Sequence, residues 1–140
     1  MTQENREILI KEICSRLPYG VKICHEGWNS EWDQELSTVE VIAGMDRDWI
    51  YTKLIDTHTG EEYRDDKHSI GIFDDKLYLR PMSSMTEEEW KSVPHWNFVN
   101  GSIDLESSVE YIDWLNSHHF DYRGLIEKSL ALIAPKDMYK

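Results

Sequence analysis

The chain has 140 residues, of which 40% are hydrophobic and 30% charged, with a formal net charge of −12. This composition excludes a low-complexity polymer and suits one domain over residues 1–140 with a core of its own, needing no disulfide or metal to fold. The excess of 27 acidic over 15 basic side chains disfavours direct binding to nucleic acid or to an anionic membrane.

In chain order the first expected element is a helix. Thr2 is a suitable N-cap and Glu4 lies where the helix dipole favours a carboxylate. Leu9, Ile13 and Leu17 repeat at i, i+4, i+8, with Ile10 and Cys14 beside them. Leu17-Pro18-Tyr19-Gly20 stops the helix, because proline restricts the residue before it and glycine accepts a positive φ.

Strands are expected next. Val21 to His25 alternates apolar and polar side chains, and Val39, Val41 and Ala43 share one face of a second strand with Thr38 and Glu40 opposite. Trp49 to Ile55 is rich in aromatic and β-branched residues, and Asp56-Thr57-His58-Thr59-Gly60 ends it with turn chemistry. Ile70–Phe73 and Leu77–Leu79 flank Asp74-Asp75-Lys76 like the arms of a short hairpin. The acidic stretch Glu26–Glu35 reads as a long loop.

Beyond Arg80-Pro81 the pattern turns helical. Ser84 or Thr86 caps a short helix through Glu87–Lys91, ended by Pro94. A second runs from about Glu106 to Ser117, with Val109, Ile112, Trp114 and Leu115 on or near its buried face, and a last one is capped by Asp121 and carries Leu125, Ile126, Leu130 and Ile133. Strands segregated from helices predict an α+β fold: an N-terminal helix, a small antiparallel sheet of four or five strands (an open sheet or an SH3-like barrel), and two or three C-terminal helices.

Neither a signal-peptide pattern nor an apolar run of roughly 20 residues is present, so a cytoplasmic location is expected, with Cys14 and Cys24 as free thiols. Negative charge concentrates between Glu26 and Asp66, where twelve acidic residues face three basic ones. That field suits a basic partner, or imitation of a nucleic-acid backbone towards a protein that binds one.

Three stretches are similar to known sequences: Arg16-Leu17-Pro18-Tyr19-Gly20-Val21-Lys22; Tyr78 to Glu89, reading Tyr-Leu-Arg-Pro-Met-Ser-Ser-Met-Thr-Glu-Glu-Glu; and Asp113 to Lys128, built around Asn116-Ser117-His118-His119-Phe120-Asp121-Tyr122-Arg123-Gly124, with the tail Ala134 to Tyr139. Together they resemble a group of short uncharacterised proteins of gut Bacteroides-type bacteria and their phages or mobile elements. The resemblance implies a bacterial cytoplasm and a mobile-element origin, and transfers no activity or catalytic residue.

Candidate chemistry falls in three places. His118, His119, Asp121 and Arg123 form a cluster suited to acid–base work or metal binding, although neighbouring helical histidines point about 100° apart. Cys14, Cys24 and His25 offer two sulfurs and a nitrogen but lack a fourth ligand and the short cysteine spacing of zinc sites. Arg80 beside Met82 and Met85 suits a peptide or carboxylate, and Trp28 and Trp32 are aromatic anchors if exposed. There is no His-Glu-x-x-His, no Gly-x-Ser-x-Gly and no Gly-rich phosphate loop, so no cofactor and no metal are expected. The leading expectation is a non-enzymatic, acidic protein-interaction module, an inhibitor among its forms, whose partner is another protein of basic character. The alternative is a small metal-dependent or His/Asp hydrolase using the segment His118–Arg123.

Overall fold

The computed structural model describes residues 1–29, 34–94, 98–99, 102–103 and 105–139. Helix α1 runs over Gln3–Arg16, and the Thr2 hydroxyl accepts a hydrogen bond from the Asn5 amide at 3.1 Å, as its capping role requires. Leu9 and Ile13 are fully buried on its inner face. A 3-10 turn over Leu17–Tyr19 and Gly20 at φ 65 end it.

Five strands follow: β1 (Lys22–Asn29), β2 (Gln34–Met45), β3 (Trp49–Ile55), β4 (Glu62–Ser69) and β5 (Lys76–Leu79). Helix α2 (Glu87–Ser92), the two-residue strands β6 (Phe98–Val99) and β7 (Ser102–Ile103), helix α3 (Leu105–Ser117) and strand β8 (Ala131–Ile133) complete the order. Strands β6 and β7 pair with each other, while the other six form one sheet ordered β4-β3-β2-β1-β5-β8, antiparallel except for the parallel pair β5–β8. The architecture is α+β. It is a mixed, six-stranded sheet, not the four- or five-stranded antiparallel sheet or SH3-like barrel expected.

Several local expectations are corrected. Within the acidic stretch Glu26–Glu35, expected as a long loop, residues 26–29 belong to β1 and 34–35 to β2, with Asn29 opposing Gln34, while 30–33 lie outside the described residues. Polar Glu62–Ser69 forms an edge strand held by backbone pairing with β3, where hydrophobic alternation gives no signal. Ile70–Ile72 turns as a 3-10 segment and the chain crosses to the far side of β1, so β5 pairs with β1 and makes no hairpin with the preceding residues. The expected last helix is absent: Gly124 and Ser129 adopt positive φ, and Ala131–Ile133 joins the sheet instead. Among the side chains of α3 that are described, burial is confined to the last turn, so Leu115 is interior whereas Val109 and Ile112 are exposed.

Opposed residues of paired strands share a face. Ile23 pairs with Glu40 and Leu77, Glu40 with Leu54, Ile42 with Thr52, and Ile50 with His68. That face meets Leu9, Ile13, Phe73, Leu125 and Leu130 in the main core. The expected inner face of β2 is therefore reversed. Glu40 and Ile42 point inward, while Val39 and Val41 are half-buried on the other side and Ala43 is exposed. The chain's tail shelters that second side: Tyr139 Oη accepts from the Lys22 amide at 2.8 Å and donates to the Tyr78 carbonyl at 2.7 Å.

Candidate metal centre

Turning Glu40 inward puts a carboxylate in the core layer, and the surrounding strands supply its partners. The Thr52 hydroxyl donates to Glu40 Oε1 at 2.6 Å, His68 Nε2 to the same oxygen at 2.8 Å, and the Thr38 hydroxyl to Oε2 at 3.1 Å. Burial pushes the Glu40 carboxyl up, but the bonds from His68, Thr52 and Thr38 and the imidazolium charge together hold it below its usual range. The hydrogen bond to Glu40 raises His68, against the opposing effect of its own burial.

His25 enters from β1. Its Nδ1 lies 2.8 and 3.0 Å from the two Asp75 oxygens, and a carboxylate only accepts, so Nδ1 is the donor. Asp75 is buried, which raises its carboxyl, while the bond and charge from His25 act the other way. The rings of His25 and His68 are 4.5 Å apart at 43°, with Phe73 beside His68 at 6.3 Å. Strands β1 and β4 are separated by β2 and β3, which in a flat sheet spaces them roughly 14 Å apart. Ring contact therefore requires the sheet to curl towards its core face, aided by irregular register at Ile42/Gly44 and Leu54/Ile55.

The result is a compact donor set. One ligand atom each from His25, Glu40 and His68 lies within 4.8 Å of the others, the single such grouping among the described residues. Two imidazole nitrogens and a carboxylate oxygen are a donor set used by zinc and non-haem iron sites that leave positions open. Asp75 on the far nitrogen of His25 is the outer partner that such sites use to fix a ring and its tautomer. Glu40 has no side-chain exposure to speak of, at 1%, His68 has 12% and His25 32%, so the solvent side of the site is at His25.

Apart from His25, the residues singled out from sequence lie elsewhere. His118, His119 and Arg80 line one cavity of ≈ 430 Å³ with Tyr19, Lys22 and Tyr139. The Arg80 guanidinium makes two bonds to Glu89, 2.6 and 2.7 Å, and lies 4.2 Å over the Phe120 ring; Glu89 is held down to about 2, mainly by those bonds. Asp121 turns away and accepts the Leu125 and Ile126 amides at 2.8 and 2.9 Å, a capping role inside a series of turns. Arg123 reaches Glu12, with Nε 3.3 Å from Oε2. Met82 is exposed and Met85 half-buried. Trp32 and the side chain of Trp28 lie outside the described residues. Both cysteines are free thiols, and Cys24 bonds Ser37 on the sheet face opposite His25.

His119 carries a pH consequence. It closes α3 at φ 63, with its amide bonded to the Asn116 carbonyl and that of Phe120 to the Leu115 carbonyl, a pairing that usually places glycine at this position. Its buried ring stacks on Tyr139 at 3.5 Å. Burial first, and then the charges of Arg16, Lys22, His118 and Arg80, lower it to about 4. The folded state thus resists a proton that the unfolded chain accepts near 6.5. Stability is intact above that value and falls as pH drops from about 6.5 to 4, by about 3 kcal/mol. Urea melts at pH 7 and pH 4.5 measure the loss, and His119→Asn should flatten this part of the pH dependence.

Comparison with known protein families, with characterised proteins and with solved structures finds no match for this chain. The chemistry of its side chains carries the functional reading. Of the residues in this donor set, sequence reasoning weighed His25 only beside Cys14 and Cys24, and set that trio aside. It missed Glu40, His68 and Asp75, which sit in segments with no metal-motif spacing.

Proposed function

We propose that this protein binds one divalent transition-metal ion through His25, Glu40 and His68, with Asp75 orienting His25 and water completing the coordination. The observation that carries the reading is the convergence of three donors from three strands within 4.8 Å. Tetrahedral ligands about 2.0–2.1 Å from zinc are roughly 3.3 Å from one another. An ion therefore needs the 2.8 Å bond between His68 and Glu40 to open by about half an ångström, replacing its proton. The hydrolase expected at His118–Arg123 has no support in the placement of Asp121 and Arg123.

Zinc titration of chelator-treated protein by calorimetry tests this reading. The expected result is one ion per chain with protons released, read from the dependence of heat on buffer. Failure to take up zinc, cobalt or manganese stoichiometrically removes it.

A second reading keeps the expected basic protein partner and places it on edge strand β4. Residues 61–65 are exposed there, with Tyr63 at 60% among Glu61, Glu62 and Asp65, which outnumber the basic Arg64. Such an edge offers unpaired backbone groups together with negative charge. Affinity capture with wild type and with Tyr63→Lys is the check. Retention of the same basic proteins by both eliminates the strand as their site.

A further inference from the structure

A second site follows from the distribution of charge, independently of the metal centre. In a chain of net charge −12, one cavity collects positive groups. It measures ≈ 430 Å³ and lies between the C-terminal end of α3, the start of β1 and the tail. Lys22 and Arg80 line it with the imidazoles of His118 and His119, and the ring of Tyr139 and the side chain of Tyr19 add aromatic wall. Fully buried Arg16 lies close enough for its charge to act on His119. The carboxylate in the lining is Glu89, and it is already engaged by two bonds to Arg80 and one from the Thr86 amide.

Three features separate this cavity from an ordinary surface dent. His119 is 7% exposed, and its Nδ1 has no hydrogen-bond partner, as Nη1 of Arg16 has none. Such atoms in the interior are costly unless something meets them. His119 also occupies a left-handed position that the helix end would more readily give to glycine, so the ring is held there against a backbone preference. The Lys22 ammonium is fixed at the wall by a 2.7 Å bond to the Met138 carbonyl, which takes one of its three donors.

We propose that this cavity binds a phosphate-type oxyanion, with Lys22 and His119 as its direct partners and Arg80, tied to Glu89, supplying field. Arg80 is paired with Glu89 and Arg16 behind it with Glu12, so Lys22 supplies the net positive charge that an oxyanion would meet. Space beyond a single phosphate group, flanked by Tyr19 and Tyr139, suits an ester carrying a planar substituent.

The experiment is a proton NMR titration of the imidazole signals with inorganic phosphate and with phenyl phosphate at constant ionic strength set by chloride. Binding should move His119, now near 4, upward by about one unit or more, leaving exposed His58 unmoved as an internal reference. Lys22→Gln should weaken both ligands at least about tenfold. Tighter binding of phenyl phosphate identifies an ester as the natural ligand, and equal binding identifies free phosphate. If Lys22→Gln disturbs the fold, Lys22→Arg, which keeps the charge, should retain the His119 shift. No phosphate-dependent shift of His119, or one that chloride reproduces or Lys22→Gln leaves intact in a folded protein, overturns the proposal.

Discussion

Replacing Glu12 with alanine is expected to destabilise the protein by about 3–5 kcal/mol, because it strands a charge in the interior. Glu12 and Arg16 lie one turn apart on α1, both fully buried, and Arg16 Nε donates to Glu12 Oε1 at 2.6 Å. Arg16 Nη2 also donates to the Phe120 carbonyl at 2.6 Å, tying α1 to the segment after α3. Without Glu12 the guanidinium keeps that carbonyl and the Tyr122 ring 5.5 Å away, but no carboxylate. Domains of this size have roughly 5–15 kcal/mol in total, so the variant should unfold at much lower urea or not fold at all. The paired change Glu12→Leu with Arg16→Met discriminates. It removes both charges and keeps bulk, so it should recover most of the loss in urea melts. A double variant as unstable as Glu12→Ala would show that the pair's geometry, rather than relief of an unpaired charge, dominates.

What was legible in the sequence was whatever depended on neighbours along the chain. Thr2 caps α1, Pro18 and Gly20 end it, and Thr86 with Glu89 forms the reciprocal cap of α2, all from local hydrogen-bond chemistry. Trp49–Ile55 was legible because β-branched and aromatic residues declare a strand. What failed depended on distant partners. Leu125, Ile126, Leu130 and Ile133 fit a helical spacing, yet left-handed Gly124 and Ser129 divide them between turns and a strand. The charge of Glu40 suggested a solvent-facing side chain, and its inward position is tolerable only because Thr38, Thr52 and His68 arrive from β2, β3 and β4 to satisfy it. The candidate metal centre was hidden for the same reason. Its ligands sit on β1, β2 and β4, and only the curl of the sheet brings the outer two into contact.

That curl makes the metal prediction sharp. Zinc at about 100 times its dissociation constant should stabilise the fold by about 2.7 kcal/mol, a rise in Tm on the order of 10 °C. His68→Gln is the informative variant. Its amide can still donate to Glu40, preserving the bond that holds β4 to β2, but it is a far poorer ligand than imidazole. The apo protein should therefore melt close to wild type while zinc affinity falls at least about 100-fold and the Tm rise disappears. Asp75→Asn acts one step out, leaving the three ligands in place but weakening control of the His25 ring, so a loss of about 10–100-fold is expected. Metal held by exposed carboxylates instead would leave both variants with the wild-type rise, and Glu40 would then be a buried anchor of the sheet and nothing more.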